Sequence, residues 1–143
     1  MMFFNKKDKL EGFVLIIGCG RLGSKIANEL SMQGKNVQVI DKHSSSFSRL
    51  DSNFGGLNTV GDALELDVLK EAHIDEASAV LVLTNDDNVN HLIAQMVRVL
   101  FGAKNVVVRL NDPEKRCVID DENMHVLCPA LLSAHAIQSV LRG

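Results

Sequence analysis

The sequence predicts an α/β fold: a doubly wound parallel sheet with helices on both faces, in a single domain. Short β-branched runs alternate along the chain with longer segments of helical periodicity. The run Val-Leu-Ile-Ile at residues 14–17 is apolar throughout, which is typical of a parallel strand covered on both faces. A length of 143 residues corresponds to one domain. We therefore expect an N-terminal lead over residues 1–11, polar from Asn5 to Glu11, and one folded domain over residues 12–143.

Strands and helices are predicted in alternation. The strands are short apolar or β-branched runs at residues 13–17, 37–40, 57–60, 80–83, 106–110 and 125–127. The segments between and after them have helical apolar spacing, at residues 21–33, 47–53, 63–72, 88–101, 113–120 and 131–141. Three serines at residues 44–46 are well placed to start the second helix. This order is a βαβαβ unit repeated, which predicts the doubly wound sheet.

The fourth and the last predicted helices carry more apolar residues than one buried face requires. Those of the fourth helix are Val89, Leu92, Ile93, Ala94, Met96, Val97, Val99, Leu100 and Phe101. Those of the last helix are Leu131, Leu132, Ala134, Ala136, Ile137, Val140 and Leu141. A helix that is apolar nearly all round is buried nearly all round. We hypothesise that one or both form interfaces in a homo-oligomer; the alternative is one unusually buried helix.

Composition and charge exclude several classes of partner. The 15 Lys and Arg residues are scattered and are outnumbered by 18 Asp and Glu residues, and Tyr and Trp are absent. Nucleic acid is therefore not expected as a partner. The apolar runs are far shorter than the roughly 18 residues of a transmembrane helix, so we expect a soluble cytoplasmic protein. The spacing of Cys19, Cys117 and Cys128 indicates neither a disulfide framework nor a metal site.

A glycine-rich loop joins the first predicted strand to the first predicted helix. Residues 18–23 read Gly-Cys-Gly-Arg-Leu-Gly, the GxGxxG pattern of Rossmann-type nucleotide sites. Gly18 permits a tight turn, Gly20 lets backbone N–H groups approach a phosphate, and Gly23 lets helix and strand pack closely. The helix N-terminus adds partial positive charge. Arg21 is placed to bind phosphate oxygens, with a solvated arginine at the helix end as the alternative.

An acidic residue follows the second predicted strand. Asp41 lies 23 residues beyond Gly18, close to the roughly 20-residue spacing of a carboxylate that binds ribose hydroxyls. Such a carboxylate also repels a 2′-phosphate and disfavours NADP, although Lys42 beside it weakens that inference. The alternative is that the glycines only form a turn and that Asp41 caps the following helix.

Polar residues also follow the other strands, and ligands of open α/β sheets bind outside the carboxyl ends of strands. After the third strand, Asp62 and Ala63 are placed to meet an adenine edge, and a helix N-cap at Asp62 is an equal alternative. After the fourth, residues 84–90 hold more polar side chains than one cap needs. Arg109 either reaches a carboxylate of a ligand or of the protein, or points outward at a sheet edge.

The sequence contains no catalytic constellation that we can recognise. None of the five histidines stands beside a Ser or Cys and an acid in a nucleophile motif, and HExxH is absent. We therefore expect a nucleotide-binding protein that is not an enzyme. The alternative is a small NAD-dependent oxidoreductase or its cofactor-binding component, suggested by the same glycine loop and Asp41. Hydride transfer, however, needs a substrate site and an acid-base group that this length barely accommodates.

The combination of these features resembles one known family. The features are the GxGxxG loop, Asp41, Gly61-Asp62-Ala63, residues 84–90, and Arg109 followed by Asn111-Asp112-Pro113. Together they resemble the KTN or RCK nucleotide-binding domain of Trk/Ktr-type potassium-uptake regulatory proteins, from about Gly12 to Leu141. The resemblance implies a cytoplasmic domain that binds ATP, ADP, AMP or NAD(H). It also implies dimers or rings that gate a membrane potassium transporter or channel at the inner face of the membrane.

The resemblance assigns roles to individual residues. It places Gly20, Arg21, Leu22 and Gly23 on phosphate, Asp41 on ribose, Asp62 and Ala63 near adenine, and Thr84, Asn85 and Asp86 along the rest of the crevice. With Gly18, Lys42 and Arg109, these are the predicted cofactor-binding residues. Longer members of the family often carry a further C-terminal regulatory domain. We therefore expect this chain to work with a second polypeptide or to sense one class of ligand.

Overall fold

The structure is a computed structural model that describes residues 12–119 and 121–143. The predicted lead over residues 1–11 lies outside the described residues, as does Asp120. The described chain forms six strands: β1 (Phe13–Ile17), β2 (Val37–Asp41), β3 (Leu57–Val60), β4 (Ala77–Val82), β5 (Val106–Arg109) and β6 (Met124–Leu127). Its α-helices are α1 (Arg21–Met32), α2 (Leu66–Glu71), α3 (Asp87–Phe101) and α4 (Pro129–Arg142). Every predicted strand is present, but β4 begins three residues before the predicted start and ends at Val82.

Two of the predicted helices are 3₁₀ helices instead. The segments predicted at residues 47–53 and 113–120 form 3₁₀ helices at Ser44–Arg49 and Pro113–Val118, and a third 3₁₀ helix lies at Ile74–Glu76. Short connectors without a wide apolar face commonly take this tighter form. The helix predicted at residues 63–72 is also shorter, because the Asp62 carboxylate accepts a hydrogen bond from the Leu64 N–H at 2.9 Å and holds a turn there. That helix begins at Leu66.

The six strands form one parallel sheet in the order β3-β2-β1-β4-β5-β6. The chain therefore winds outward in one direction from β1 to β3 and then returns to place β4 on the other side of β1. Ile16 of β1 is aligned with Val39 of β2 and with Leu81 of β4. Between β1 and β4 the direction of winding reverses, and this is the point of an open α/β sheet where ligands bind.

Each face of the sheet carries its own apolar core, as the predicted fold class requires. On one face Leu69 of α2 and Ile93 and Val97 of α3 join buried strand residues in one cluster. On the other face Ala27 of α1 packs in one cluster with Ile16 of β1 and with Val37 and Val39 of β2. Helices therefore cover both faces, and the predicted doubly wound α/β domain is confirmed.

The two helices that the sequence marks as unusually apolar are not covered within one chain. α3 buries Ile93, Ala94 and Val97 but leaves Leu92, Val99 and Leu100 exposed. α4 has no buried residue at all. Its Ile137 is 60% exposed and its Val140 is 79% exposed. The described residues therefore do not bury α4, and the interface hypothesis stays a prediction. No helix in the described part of the chain is both long and apolar enough to cross a membrane.

Candidate functional site

A cavity of about 320 Å³ opens at the carboxyl ends of β1, β2 and β4, where the winding reverses. The backbone brings these strand ends to one edge: the Gly18 N–H donates to the Ile40 carbonyl at 2.8 Å, and the Leu83 N–H donates to the Ile17 carbonyl at 2.8 Å. The predicted site residues that line this first cavity are Gly18, Gly20, Asp41, Lys42, Asp62, Ala63, Thr84 and Asn85. Its size is within the range of small-molecule sites.

A second cavity of about 400 Å³ shares Gly20, Asn85 and Arg49 with the first. Three further predicted residues, Arg21, Leu22 and Arg109, line this second cavity and not the first. Gly23 and Asp86 line neither. The Asp86 carboxylate instead caps α3, accepting hydrogen bonds from the N–H groups of Asn88 and Val89.

The three glycines of the loop differ in what surrounds them. Gly18 has a φ of +103°, and a Cβ there would lie 2.9 Å from backbone atoms of Leu83 and Thr84. A Cβ at Gly23 would lie 1.8 Å from the Gly18 carbonyl oxygen. A Cβ at Gly20 would meet nothing within 4 Å. Gly18 and Gly23 are therefore required by the turn and by the helix contact, whereas Gly20 keeps the mouth of both cavities open.

Asp41 joins the glycine loop to the end of β2. One carboxylate oxygen accepts the Cys19 N–H at 2.8 Å and the other accepts the His43 N–H at 2.8 Å. Asp41 does not cap the 3₁₀ helix Ser44–Arg49, whose N-cap is His43 and which has no side-chain cap hydrogen bond. Each carboxylate oxygen has a second acceptor position. Asp41 can therefore hold the loop and still accept hydrogen bonds from a ligand.

Lys42 and Asp62 both line the first cavity and lie next to each other at one edge of it. The Lys42 Nζ lies 4.0 Å from a carboxylate oxygen of Asp62. Both side chains are partly exposed, with 62% and 34% of their surface accessible, so this ion pair contributes little to folding stability. It leaves the charges of the two side chains balanced at that edge of the cavity.

Asn90, which the sequence analysis did not assign to the site, holds two strand ends together. Its side chain is fully buried. The amide oxygen accepts hydrogen bonds from the N–H and the hydroxyl of Thr84, and the amide nitrogen donates to the carbonyls of Thr84 and Arg109, each at 2.9 Å. All four hydrogen-bonding positions of the amide are used. In the sequence, residues 84–90 hold more polar side chains than a helix cap needs, and this surplus is the feature that indicates a further role for Asn90.

Asp87 fixes the loop that follows β5. Its carboxylate accepts hydrogen bonds from the N–H groups of Asn111 at 2.7 Å and Asp112 at 2.9 Å. Burial raises the pKa of this carboxyl, but the two backbone N–H groups, together with Lys115 and Arg109, outweigh burial, and the net effect lowers the pKa. The Asp87 carboxylate is therefore ionised at neutral pH and anchors the segment that carries Arg109.

Arg109 is held at the edge of the second cavity by two amides. Its Nε donates to the Asn111 side-chain oxygen at 2.9 Å, and an Nη donates to the Asn85 side-chain oxygen at 3.4 Å. No described carboxylate forms an ion pair with it. Arg109 therefore lines the second cavity without a carboxylate partner among the described residues, and its contact with a ligand stays a prediction.

The 3₁₀ helix Ser44–Arg49 contributes residues that the sequence analysis missed. His43, Ser46 and Arg49 line the first cavity, and Arg49 also lines the second. No local motif marks Arg49. Its place depends on how residues 42–56 fold back over α1, which short-range sequence patterns do not specify.

Cys19 lies inside the glycine loop but is not suited to nucleophilic chemistry. Its side chain is fully buried, and burial, followed by the charge of Asp41, raises the pKa of the thiol despite the opposing effect of Arg49. A raised pKa keeps the thiol protonated and unreactive. Among the described residues, no group of His, Cys, Asp and Glu side chains has the arrangement of a metal site.

Comparison with known proteins identifies the family. The family described as the TrkA-N domain matches residues 14–129. The chain belongs to the TrkA-N domain family. It is 43% identical over 102 residues to a Trk system potassium uptake protein TrkA from Streptomyces coelicolor, a match that covers 71% of this chain and 46% of the relative. The chain thus spans about half the length of this curated relative.

Solved structures share the same fold. The TrkA-N domain of the inner membrane protein ybaL from Escherichia coli has a TM-score of 0.81 at 18% identity, over 92% of this chain and 98% of that domain. A GsuK structure bound to ADP has a TM-score of 0.74 at 26% identity, over 95% of this chain and 35% of that chain. The GsuK channel bound to NAD, at 17% identity, has a TM-score of 0.70 over 85% of this chain and 22% of that one. The recognition made from the sequence is confirmed.

Gly23→Ala tests the contact between the loop and α1. The added Cβ falls 1.8 Å from a backbone oxygen, so the helix must shift, and we expect a loss of about 3 kcal/mol in the free energy of unfolding. Gly20→Ala is the matched control. Its Cβ has open space, and the cost of alanine at this N-cap is about 1 kcal/mol or less. Urea denaturation measures both, and equal losses would contradict the close contact at Gly23.

Asp87→Asn tests the carboxylate anchor through pH. Because the folded pKa is lowered, the carboxylate contributes stability above its unfolded pKa of about 3.9 and loses that contribution as the pH falls through the folded value. We expect Asp87→Asn to cost about 1 kcal/mol at neutral pH and the difference from the parent to shrink below about pH 4. Denaturation at several pH values measures it, with exposed Asp75→Asn as control; a pH-independent difference would contradict the anchor.

Proposed function

We propose that this chain is a nucleotide-sensing regulatory component of a potassium-uptake system. The observation that carries the proposal is the cavity at the reversal of the sheet, which is lined by the GxGxxG loop and by the Asp41 carboxylate hydrogen-bonded to that loop. Membership of the TrkA-N domain family and the likeness to a potassium uptake protein support the same function.

The ligand that fits the first cavity is an adenine nucleotide or NAD(H). A phosphate at Gly20 would meet backbone N–H groups and the positive end of the α1 dipole. Ribose hydroxyls would donate to the free acceptor positions of Asp41. Adenine would lie among the apolar residues Ile40, Val89 and Ile93, near Asp62. The ADP-bound and NAD-bound structures of GsuK support this choice of ligand class.

Binding without catalysis is the role that the residues support. Cys19 is buried with a raised pKa, and the Asp87 carboxylate is held by the N–H groups of Asn111 and Asp112. Neither group is free to act as the acid-base partner for hydride transfer that the oxidoreductase alternative needs. The signal is instead a shift between assembly conformations, limited in size by the difference in ligand affinity between them.

The partner of this component is a membrane potassium transporter or channel subunit, at the cytoplasmic face of the membrane. Self-association accompanies that role. α4 exposes four large apolar side chains, Leu132, Ile137, Val140 and Leu141, and apolar side chains clustered on one surface favour an interaction site. We assign α4 to contacts between copies of the chain.

Gly20→Ala tests the phosphate site. Its methyl group would stand where a phosphate must approach the loop, so we expect ATP, ADP, AMP or NADH affinity to fall at least tenfold, about 1.4 kcal/mol, while the unliganded melting temperature stays near that of the parent. Calorimetry and thermal shift measure both. Gly55→Ala, whose Cβ would make only an ordinary contact of 3.6 Å with Ser31, is the matched control. No binding of any of these nucleotides to the parent would refute the proposed function, and turnover of NADH with a carbonyl substrate would favour the oxidoreductase.

Ile137→Glu with Val140→Glu tests the assignment of α4. Both side chains are exposed in one chain, so the double variant should fold but dissociate from an oligomer into a smaller species at micromolar concentration. Light scattering with size exclusion measures the mass. Ser133→Glu with Gln138→Glu adds the same charge at polar positions of the same helix and should leave the mass unchanged. A parent protein that is already monomeric would contradict the assignment.

A further inference from the structure

We propose that β3, at one edge of the sheet, pairs with β3 of a second copy of this chain about a twofold axis. The two sheets then continue into each other through an antiparallel pair of edge strands. This surface is distinct from α4, which follows β6 at the other end of the strand order. Pairing through β3 requires neither a bound nucleotide nor the contacts assigned to α4.

β3 is an open edge strand. It is the first strand in the sheet order, and among the described strands it pairs with β2 alone. All of its residues are exposed, and Leu57 and Val60 have 68% and 55% of their surface accessible. Edge strands are commonly protected from pairing by charged residues, by proline or by a bulge. Residues 52–61 contain no charged residue and no proline, and the register with β2 is regular. The usual protection is therefore missing from this edge.

The backbone of β3 presents a defined set of hydrogen-bonding groups outward. The Gly61 N–H donates to the Asp41 carbonyl of β2 at 2.9 Å. Backbone groups of successive residues in a strand point alternately to its two sides. Thr59 therefore points its N–H and carbonyl toward β2 as Gly61 does, whereas Asn58 and Val60 point theirs away from β2. These outward groups can pair with another strand.

The outward groups select one register for a symmetric pair. A twofold axis that passes beside Thr59, normal to the sheet, sets Asn58 opposite Val60 of the second copy. Each of these residues then exchanges both of its backbone hydrogen bonds with the residue opposite. An axis beside Asn58 would pair Val60 with Gly56, and an axis beside Val60 would pair Asn58 with Asp62, and both of these partners lie outside β3. Only the axis at Thr59 pairs the outward residues of β3 with each other.

The side chains fit the same register. Thr59 lies opposite Thr59 of the second copy, and directly opposed threonines stabilise antiparallel pairs. Leu57 lies opposite Gly61 of the second copy. A Cβ at Gly61 would lie 2.9 Å from the Val68 side chain, so Val68 of α2 covers that glycine. Leu57 of each copy therefore meets an apolar side chain of the other, which covers part of its exposed surface.

Thr59→Cys in the full chain tests this register by oxidation. Opposed residues of a non-hydrogen-bonded pair have Cα atoms about 4.5 Å apart, a distance that a disulfide spans. Leu57→Cys is the matched control on the same exposed strand. Its two cysteines would each lie opposite Gly61, about 13 Å from each other, which a disulfide cannot span. We expect Thr59→Cys to form a covalent dimer at least about tenfold faster than Leu57→Cys or the parent, measured by non-reducing electrophoresis.

A charge at the axis tests the association without a covalent bond. In the Ile137→Glu, Val140→Glu background, where contacts through α4 are removed, we expect a dimer at high protein concentration. Adding Thr59→Lys sets two like charges directly opposite each other and should convert that dimer to a monomer at an unchanged melting temperature. Gln33→Lys adds the same charge at an exposed position outside β3 and should leave the dimer intact. Light scattering with size exclusion measures the mass.

The remaining outcomes overturn the proposal. Equal rates of linking through the two cysteine variants would indicate random collision, and faster linking through Leu57→Cys would exclude the axis at Thr59. A monomer at high concentration in the background without α4 contacts would exclude pairing through β3. Equal loss of the dimer in Thr59→Lys and Gln33→Lys would place the contact elsewhere. Nucleotide binding, measured by calorimetry on the same variants, is expected to be unchanged, so failure here would leave the proposed function standing.

Discussion

The candidate site depends on the backbone contact between Gly23 and the Gly18 carbonyl. A Cβ at Gly23 would lie 1.8 Å from that oxygen, so only glycine lets α1 begin this close to the end of β1. The close approach aims the first N–H groups of α1 at the cavity instead of at another part of the protein. Glycine is also required at position 18, because its φ of +103° and its close approach to the Leu83 backbone leave no room for a side chain.

A few polar side chains then hold the remaining strand ends around that loop. Asp41 ties the loop to β2, Asn90 ties the end of β4 to the end of β5, and Asp87 ties α3 to the loop after β5. A single hydrogen bond of this kind contributes only about 1 kcal/mol, but a buried polar group left without its partner costs about 1–3 kcal/mol. These residues therefore fix the shape of both cavities before a ligand enters. Such preorganisation lowers the entropic cost of binding.

Much of this arrangement could be predicted from the sequence, because it depends on local patterns. Continuous apolar runs locate the strands, and the glycine loop with Asp41 points to the candidate site, a cavity at the reversal of the sheet. The 3₁₀ helices could not be predicted, since helical spacing in short connectors does not separate them from α-helices. Arg49 could not be predicted either, because its meeting with Arg21 and Arg109 depends on the path of a long connection. The apolar residues of α4 predict that the helix is buried, but the sequence does not show which surface covers it.

Backbone amide chemical shifts, followed by nuclear magnetic resonance while ATP is added, test the central claim most directly. The account predicts that the largest changes fall on residues 18–23, on residues 41–49 and on residues 84–85, which line the two cavities or lie beside their lining residues. A change of similar size at Arg109 would place the second cavity within the same site. Changes confined to the exposed surface of α4, or none at saturating ATP, would contradict a nucleotide site at the reversal of the sheet.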